Sequence, residues 1–596
     1  MRLKKAQLCA LLLLLSVVQA ASAIRERVTG EETPQPAYQW RGCMLDVSRH
    51  YFPMSYLRQQ IDILAANGFN RLHLHLVDAA GWRMEIRRYP RLTRLAAWRT
   101  ESDWDKWWEG GDRQYVEEGT PGAYGGWYSQ DELRALVAYA EAKGIVIVPE
   151  IEMPGHSEEV LEAYPELRCE AGGAPEHVAG SLTAAGTQMA RNTGDFCPAN
   201  EAVYTFLENV LTEVMQVFPS EYIHIGGDEA GKAAWPSCPR CIAKMQELGT
   251  QDVDALQAYL VRRMTKWLND HGRRVIGWDE IVFDGEDGGV VETAPGNAVM
   301  VWRDAAHAKR AIEKGYDVIL SPASHCYLDY YQDAPPTQPK AIGGFLPLEK
   351  VYGFGPCDGL SEQERAHVLG VQGNLWAEYI DSPSHAQYML YPRIFAIGEI
   401  GLKGTERPAW KQFRKSVVRR VKDLRRRGIN AFDPRTEAGP RPESRKPLKH
   451  KARGAQVVYN KPYSAKYAAG GATALTDGLR GGWTHGDGRW QGFVTGDCLD
   501  VTIDLGSVLS VRRVAMDFLQ SSGSWIYLPK HLTLSVSADG QAFREIFRRD
   551  EARRRNDGAE FHTYEWNGSA AFRFLRIQGT ATGEGEWIFL DEVVVQ

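Results

Sequence analysis

The sequence has no apolar run long enough to span a membrane. Its longest, residues 8–18, is about half of the ~20 residues that a spanning helix needs. It has no surplus of positive charge either. Its 70 Lys and Arg stand against 76 Asp and Glu, a formal net charge of −6, where a nucleic-acid-binding protein would show a basic face or tail. The low-aromatic composition of a disordered chain is also missing: of 596 residues, 10% are aromatic and 44% hydrophobic. That length exceeds one small domain at ~100–200 residues per domain, and the apolar content is enough for large cores.

A partner for the single CxxC is lacking as well. Cys238-Pro239-Arg240-Cys241 has the spacing of half a zinc site, but no second CxxC or His pair accompanies it. The expectation is a local disulfide or two ordinary thiols, with no metal. Proximity in sequence suggests the pairs Cys169–Cys197 and Cys326–Cys357. The short apolar run at the start has its own explanation. Arg2, Lys4 and Lys5 precede it and Ala21-Ser22-Ala23 follows it, the order of a secretory signal peptide over residues 1–23. An exported protein, periplasmic or secreted, is expected. No Cys stands just after the cut to carry a lipid anchor.

What is present is a pattern repeated eight times. Short β-rich runs at residues 41–46, 70–78, 144–152, 221–229, 274–280, 298–303, 317–321 and 368–378 end in polar or aromatic residues. Amphipathic helical stretches lie between many of them, for example at 129–143, 201–217 and 253–270, with apolar residues at three- and four-residue spacing. Alternating strands and helices imply a parallel sheet under helices, either a (β/α)8 TIM barrel or an open doubly wound sheet. Placement of the polar residues favours the barrel. Asp46, Asp78, Glu152, Asp228, Glu229, Trp302 and Glu378 fall at or just past the C-terminal ends of the runs, which in a barrel converge on one pit.

The fold class is therefore α/β, with a catalytic barrel over residues 24–432. Residues 433–453, rich in Pro and basic residues, read as a solvated linker. Residues 454–596 show alternating strand patterns and turn signals and no long helical period, so they read as an antiparallel β-sandwich.

The sharpest segment for chemistry is His224-Ile225-Gly226-Gly227-Asp228-Glu229. Two glycines let the backbone approach a ligand, and two adjacent acids can address different atoms of one substrate. The alternative is that Asp-Glu merely caps the next helix. Trp82, Trp278, Trp302 and Trp376 lie near other strand ends, beside Arg83, Asp279, Arg303 and Glu378. Aromatic faces with charged groups among them suit a sugar, and a buried acid pair suits glycoside cleavage.

At these residues the sequence resembles glycoside hydrolase family 20, the β-N-acetylhexosaminidases. The carriers are Arg41-Gly42-Cys43-Met44-Leu45-Asp46-Val47-Ser48-Arg49-His50, His73-Leu74-His75-Leu76-Val77-Asp78 with Gly81-Trp82-Arg83, and Pro149-Glu150-Ile151-Glu152-Met153-Pro154-Gly155-His156. The run from His224 to Glu229, Gly277-Trp278-Asp279-Glu280, Tyr327-Leu328-Asp329 and Trp376-Ala377-Glu378 complete them in order. The resemblance implies substrate-assisted catalysis with retained configuration and neither cofactor nor metal. By it, Glu229 is the general acid and Asp228 accepts the acetamido N–H. Tyr327 holds the acetamido oxygen, and Trp278, Trp302 and Trp376 wall the acetyl group. Arg41 and Glu378 bind the O3/O4 side, Asp329 reaches O6, and His156 and Asp78 orient the two acids. Three departures stand out: Glu152 where the family commonly has Asp, Leu402 where a Trp is common, and only residues 24–39 where a small α+β domain usually precedes the barrel.

The tail resembles the discoidin, or coagulation-factor 5/8 type C, fold through Leu475-Thr476-Asp477-Gly478, Trp490-Gln491-Gly492-Phe493, Trp525-Ile526-Tyr527-Leu528-Pro529 and Trp587-Ile588-Phe589-Leu590-Asp591-Glu592. Structural packing and glycan capture are both open for it, and the resemblance allows a structural calcium near Asp477. The function expected is an exo-acting β-N-acetylhexosaminidase acting on glycans or chitooligosaccharides. The rival is a non-catalytic glycan-binding protein on a decayed barrel, which would normally have lost Asp228, Glu229 or Tyr327.

Overall fold

Eight parallel strands close into a barrel in sequence order: β1 (Trp40–Asp46), β2 (Arg71–His75), β3 (Val146–Glu150), β4 (Tyr222–His224), β5 (Arg274–Trp278), β6 (Ala298–Val301), β7 (Asp317–Leu320) and β8 (Val368–Leu375). β1 closes the ring against β8, with Arg41 opposite Val371 and Leu45 opposite Leu375. The computed structural model describes residues 35–596 apart from 110–112, 171–193, 283–295, 495–497, 555–558 and 584. The expected signal peptide lies outside the described residues. Among those that are described, no helix is long and apolar enough to cross a membrane.

The outer layer includes α1 (Met54–Ala66), α2 (Gln130–Glu141), α3 (Glu201–Val217), α4 (Pro239–Leu248), α5 (Asp254–Asp270), α6 (Ala305–Glu313) and α7 (Ile394–Lys403). Local sequence explains where they start. Ser129 and Glu132 form a capping box at α2, and Asp304 accepts from the N–H groups of Ala306 and His307 at α6. Leu133, Leu136, Val137 and Ala140 then give α2 one buried stripe. Inside the barrel, alternation along each strand points every second residue inward. Trp40, Val148, Tyr222, Ile276, Met300 and Ile319 pack together there, below a polar layer of His73, Glu150, His224, Gln372 and Asn374.

The second domain is an antiparallel seven-stranded sheet. Its strands are β9 (Gln456–Tyr459), β10 (Gln491–Val494), β11 (Leu499–Gln520), β12 (His531–Ser537), β13 (Arg544–Asp550), β14 (Glu560–Thr580) and β15 (Trp587–Val595). The two long strands, β11 and β14, pair along most of their length, with register breaks between Asp504 and Leu509 and between Val511 and Arg513. Before the breaks β11 is flanked by β9, and after them by β15. Each long strand thus passes from one half of the sheet to the other. The halves share one core, in which Val501, Ile503, Leu532 and Leu575 meet Met516, Phe518, Ile588 and Leu590.

The structure corrects two expectations here. Residues 433–453 are not a solvated tether. The N–H groups of Ala438 and Gly439 donate to Asp333 of the barrel at 2.7 and 2.8 Å, and Trp483 Nε1 of the second domain donates to Gly439 O at 2.9 Å. Further on, His450 pairs with Glu592 at 2.8 Å with both side chains fully buried, and Arg441 pairs with the buried Asp517 and reaches toward Asp591. The charges that made the segment look solvated are the groups that anchor it. The second correction concerns cysteine: no disulfide joins Cys169 to Cys197 or Cys326 to Cys357. Cys326 is buried, whereas Cys357 meets the Tyr38 hydroxyl at 3.3 Å.

Arg441→Ala leaves Arg480 as the remaining cation against both Asp517 and Asp591. Breaking a buried ion pair costs about 3–5 kcal/mol, so urea unfolding of the variant should show an early transition of the second domain. An unchanged midpoint would mean that the segment does not anchor that domain.

Candidate active site

The loop that leaves β4 brings the two acids to the C-terminal mouth of the barrel. Beyond the strand the chain stays tied to β5, since Ile225 N–H donates to Ile276 O and Trp278 N–H to Gly226 O, each at 2.9 Å. Gly226 and Gly227 then turn with φ of +65° and +97°. A Cβ on Gly226 would lie 1.9 Å from a Glu152 oxygen, so a side chain is excluded both by conformation and by space. Glu229 itself has φ +47°, and His156, which faces it, has φ +50°. Left-handed backbone at two non-glycine residues costs about 1–3 kcal/mol each and is a mark of functional sites.

Asp228 and Glu229 share one cation. His156 Nε2 is 3.6 Å from Asp228 Oδ2 and 3.6 Å from Glu229 Oε2. Its Nδ1 is 3.1 Å from Asp78 Oδ1, and Asp78 Oδ2 accepts from His75 Nε2 at 2.8 Å and from Arg49 at 2.7 Å. His75 continues to Glu150, whose other oxygen accepts from Trp278 Nε1 at 2.8 Å and lies 2.9 Å from His224 Nδ1. A file of alternating charges therefore runs from the mouth into the barrel. Burial alone would lower the pKa of His156, but Asp78, Glu229 and Asp228 raise it well above the usual value and keep it an imidazolium. Burial opposes the Asp78 carboxylate too, yet Arg49 and His156 hold it well below the normal range. Asp228 is pushed up to about 6 by burial, with His156 working against the rise and Glu229 adding to it. One of its oxygens, Oδ1, is buried with no hydrogen-bond partner.

Aromatic rings line the pit beside Asp228. Trp278 and Trp376 have centroids 5.6 Å apart, Trp376 and Tyr327 6.1 Å, and Tyr327 and Trp302 6.3 Å. Trp302 is held by its Nε1, which donates to Glu280 at 3.0 Å, while Arg303 pairs with Glu280 and Asp279 at 2.6 Å each. Asp329 is 3% exposed, and its Oδ1 also lacks a partner. Burial, reinforced by Glu378, raises the Asp329 pKa well above the usual range.

The structure gathers Asp228, Glu229, His156, Asp78, Tyr327, Trp278, Trp302, Trp376, Asp329 and Glu378 around this mouth, but not Arg41. Residue 41 is the second of β1, about 16 Å of strand from Asp46 at ~3.3 Å per residue. Its guanidinium donates to Gly68 O and Tyr38 O at the opposite end of the barrel. The arginine in the pit is Arg49, three residues past the end of β1, 3.8 Å from Glu378 and over the Trp376 ring. Proximity to the strand's C-terminal end, not its start, was the available signal. Trp82 and Arg83 likewise serve the loops: Trp82 Nε1 donates to Met84 O, and Arg83 ties together Val47, Ser48, Ala97 and Gly126 carbonyls. Asp46 caps the turn after β1 and accepts from Ala377 N–H. The Glu152 carboxyl is buried under Gly226, and burial together with Asp228 and Glu150 raises its pKa well above the ordinary value, so it is neutral.

The family model described as "Glycosyl hydrolase family 20, catalytic domain" matches residues 38–404, more than half of the chain. The chain belongs to glycosyl hydrolase family 20. The F5/8 type C domain model matches residues 459–593. A beta-hexosaminidase of Porphyromonas gingivalis is 37% identical over 405 residues, 68% of this chain and 48% of that protein. One of Vibrio furnissii is 35% identical over 370 residues, 62% of this chain and 57% of its own length. The chain thus spans about half the length of the curated relatives it matches. Among solved structures, a Vibrio harveyi exo β-N-acetylglucosaminidase in complex with N-acetylglucosamine superposes with TM-score 0.57 at 31% identity, over 67% of this chain and 60% of that one. For this family 20 chain the catalytic barrel with its discoidin-like partner is accordingly the settled architecture. Asp477, where a calcium was allowed, accepts from Leu479 N–H, and it is in none of the converging groups of three or more His, Cys, Asp or Glu among the described residues.

Because Glu152 is neutral, Glu152→Gln should be nearly isosteric and isoelectronic with it. Its thermal unfolding at pH 7 is expected within a few degrees of the parent. A loss of about 3 kcal/mol or more, the scale of a broken buried ion pair, would mean that Glu152 is ionised and paired.

Proposed function

We propose that the chain is an exo-acting, retaining β-N-acetylhexosaminidase that removes terminal β-linked GlcNAc or GalNAc with help from the substrate's own acetamido group. The observation that carries this reading is the pairing of two adjacent acids on one imidazolium. A ligand atom each of His156, Asp228 and Glu229 lies within 4.8 Å of the others. In substrate-assisted cleavage the acetamido oxygen, not Asp228, attacks C1, so two acids this close can serve one sugar, and the two successive displacements at C1 retain its configuration.

The two acids differ in surroundings, and the difference assigns their roles. Glu229 is the more exposed and reaches outward from its left-handed backbone toward a leaving group, so it acts as acid and then as base. Asp228 is deeper, with Oδ1 buried and unpartnered. It accepts the acetamido N–H and stabilises the positive charge that develops as the acetamido oxygen attacks C1. Tyr327, Trp302, Trp376 and Trp278 enclose the acetyl group, and the Tyr327 hydroxyl orients its oxygen. Arg49, Glu378 and Asp329 offer polar contacts to the sugar hydroxyls on the far side. The neighbour named as an exo enzyme bound to N-acetylglucosamine supports attack at chain ends. The basic, apolar and small-residue order of residues 1–23 supports export.

The test is Glu229→Gln. Loss of general acid help should lower kcat/KM, which reports the first step alone, by roughly 10²–10⁴-fold for substrates with poor leaving groups, and much less for activated aryl glycosides. Equal slowing of both, or none, would remove Glu229 from the acid role. A parent protein that binds N-acetylhexosamine without cleaving any glycoside would favour the binding-only reading.

A further inference from the structure

Away from the pit, the structure brings four cysteines from two loops to one point. Cys169 and Cys197 stand on the excursion between β3 and α3, and Cys238 and Cys241 on the segment that follows Asp228 and Glu229. Sulfur separations are 3.7 Å for Cys169–Cys241, 3.7 Å for Cys197–Cys241 and 3.9 Å for Cys197–Cys238. All four sulfurs lie within 4.8 Å of one another. No pair is near the ~2.05 Å of a disulfide. Nor is any pairing singled out, because Cys241 is equidistant from Cys169 and Cys197, and Cys197 approaches both members of the CxxC.

The spacing has a different meaning. Four thiolates placed tetrahedrally around one zinc ion at ~2.3 Å are ~3.8 Å apart along each edge of the tetrahedron, which is the separation found. The surroundings agree. The four residues are at most 6% exposed and pack with Trp235, Met245 and Leu256 in a small apolar cluster of their own. Cys238 is the N-cap of α4, and Cys241 lies in its first turn, so the positive end of a ten-residue helix faces the sulfurs and favours their thiolate form.

We propose that Cys169, Cys197, Cys238 and Cys241 hold one structural zinc ion. With all four positions taken by protein sulfur the site is closed, and it takes no part in the chemistry. The thiols release four protons as they bind the ion, with no oxidant required. The site's role is to fasten the loop bearing Asp228 and Glu229 to the neighbouring excursion. Two more contacts mark the same seam: Asp195 accepts from the N–H groups of Gly231 and Lys232 at 3.0 and 2.7 Å, and Trp235 Nε1 donates to Phe196 O at 3.2 Å. The inference does not depend on which sugar the pit accepts.

The test is metal analysis of the untagged full-length chain, purified without chelator, together with X-ray absorption at the zinc edge. About one zinc per chain with four sulfur neighbours at ~2.3 Å is expected, and Cys238→Ser should retain less than a tenth of the metal while Cys498→Ser retains all of it. Should Cys238→Ser fail to fold, the parent's metal content and absorption spectrum decide the matter alone. Protein free of zinc overturns the site, whether the four cysteines are then recovered as disulfide-linked peptides or as freely alkylated thiols. Zinc bound through nitrogen or oxygen ligands overturns it equally.

Discussion

The barrel interior must hold charge, and the way it does so governs the rest of the site. Glu150 is fully buried, and its carboxylate is stable there only because His73, His75, His224 and the Trp278 N–H surround it. His75 hands the polarity on to Asp78, and Asp78, with Arg49, to His156. His156 is thereby fixed as a cation between the two acids of the β4 loop. Removing a charged member leaves an uncompensated buried charge, the costly situation, whereas in the intact file each charge faces one of opposite sign.

That file explains why the β4 loop carries strained backbone. Glu229 and His156 both take left-handed conformations, and Gly226 has space only for a hydrogen above Glu152. A loop held by its own propensity would not adopt these angles. It is held from outside, by hydrogen bonds to β5, by Asp195 on the excursion between β3 and α3, and by the hydrogen bond from Trp235 to Phe196. Such over-determination fixes where the two carboxyls stand relative to His156.

Much of the fold was legible in the sequence, because a barrel strand buried on both faces leaves a continuous apolar run and its polar end marks the pit. The eight runs all became strands, and the two acids after Gly226-Gly227 were visible for the same reason. What was not legible depends on distances that sequence order hides. Arg41 and Arg49 sit in one ten-residue motif, and only the position of the strand end at Asp46 tells which of them faces the pit. Residues 433–453 look solvated because composition counts charges without showing that Asp517, Asp591 and Glu592 wait to pair with them. The CxxC looked solitary because Cys169 and Cys197 are brought to it from another part of the chain, the excursion between β3 and α3.

The central claim is that the pit cleaves only with the substrate's acetamido group as nucleophile. The most direct measurement compares an aryl β-N-acetylglucosaminide with the matching β-glucoside at saturating concentrations, so that kcat is separated from binding. Rapid release from the first and almost none from the second is the predicted result. Comparable kcat for the two would contradict it, since the acetamido group would then be dispensable and a protein carboxylate would have to attack the sugar.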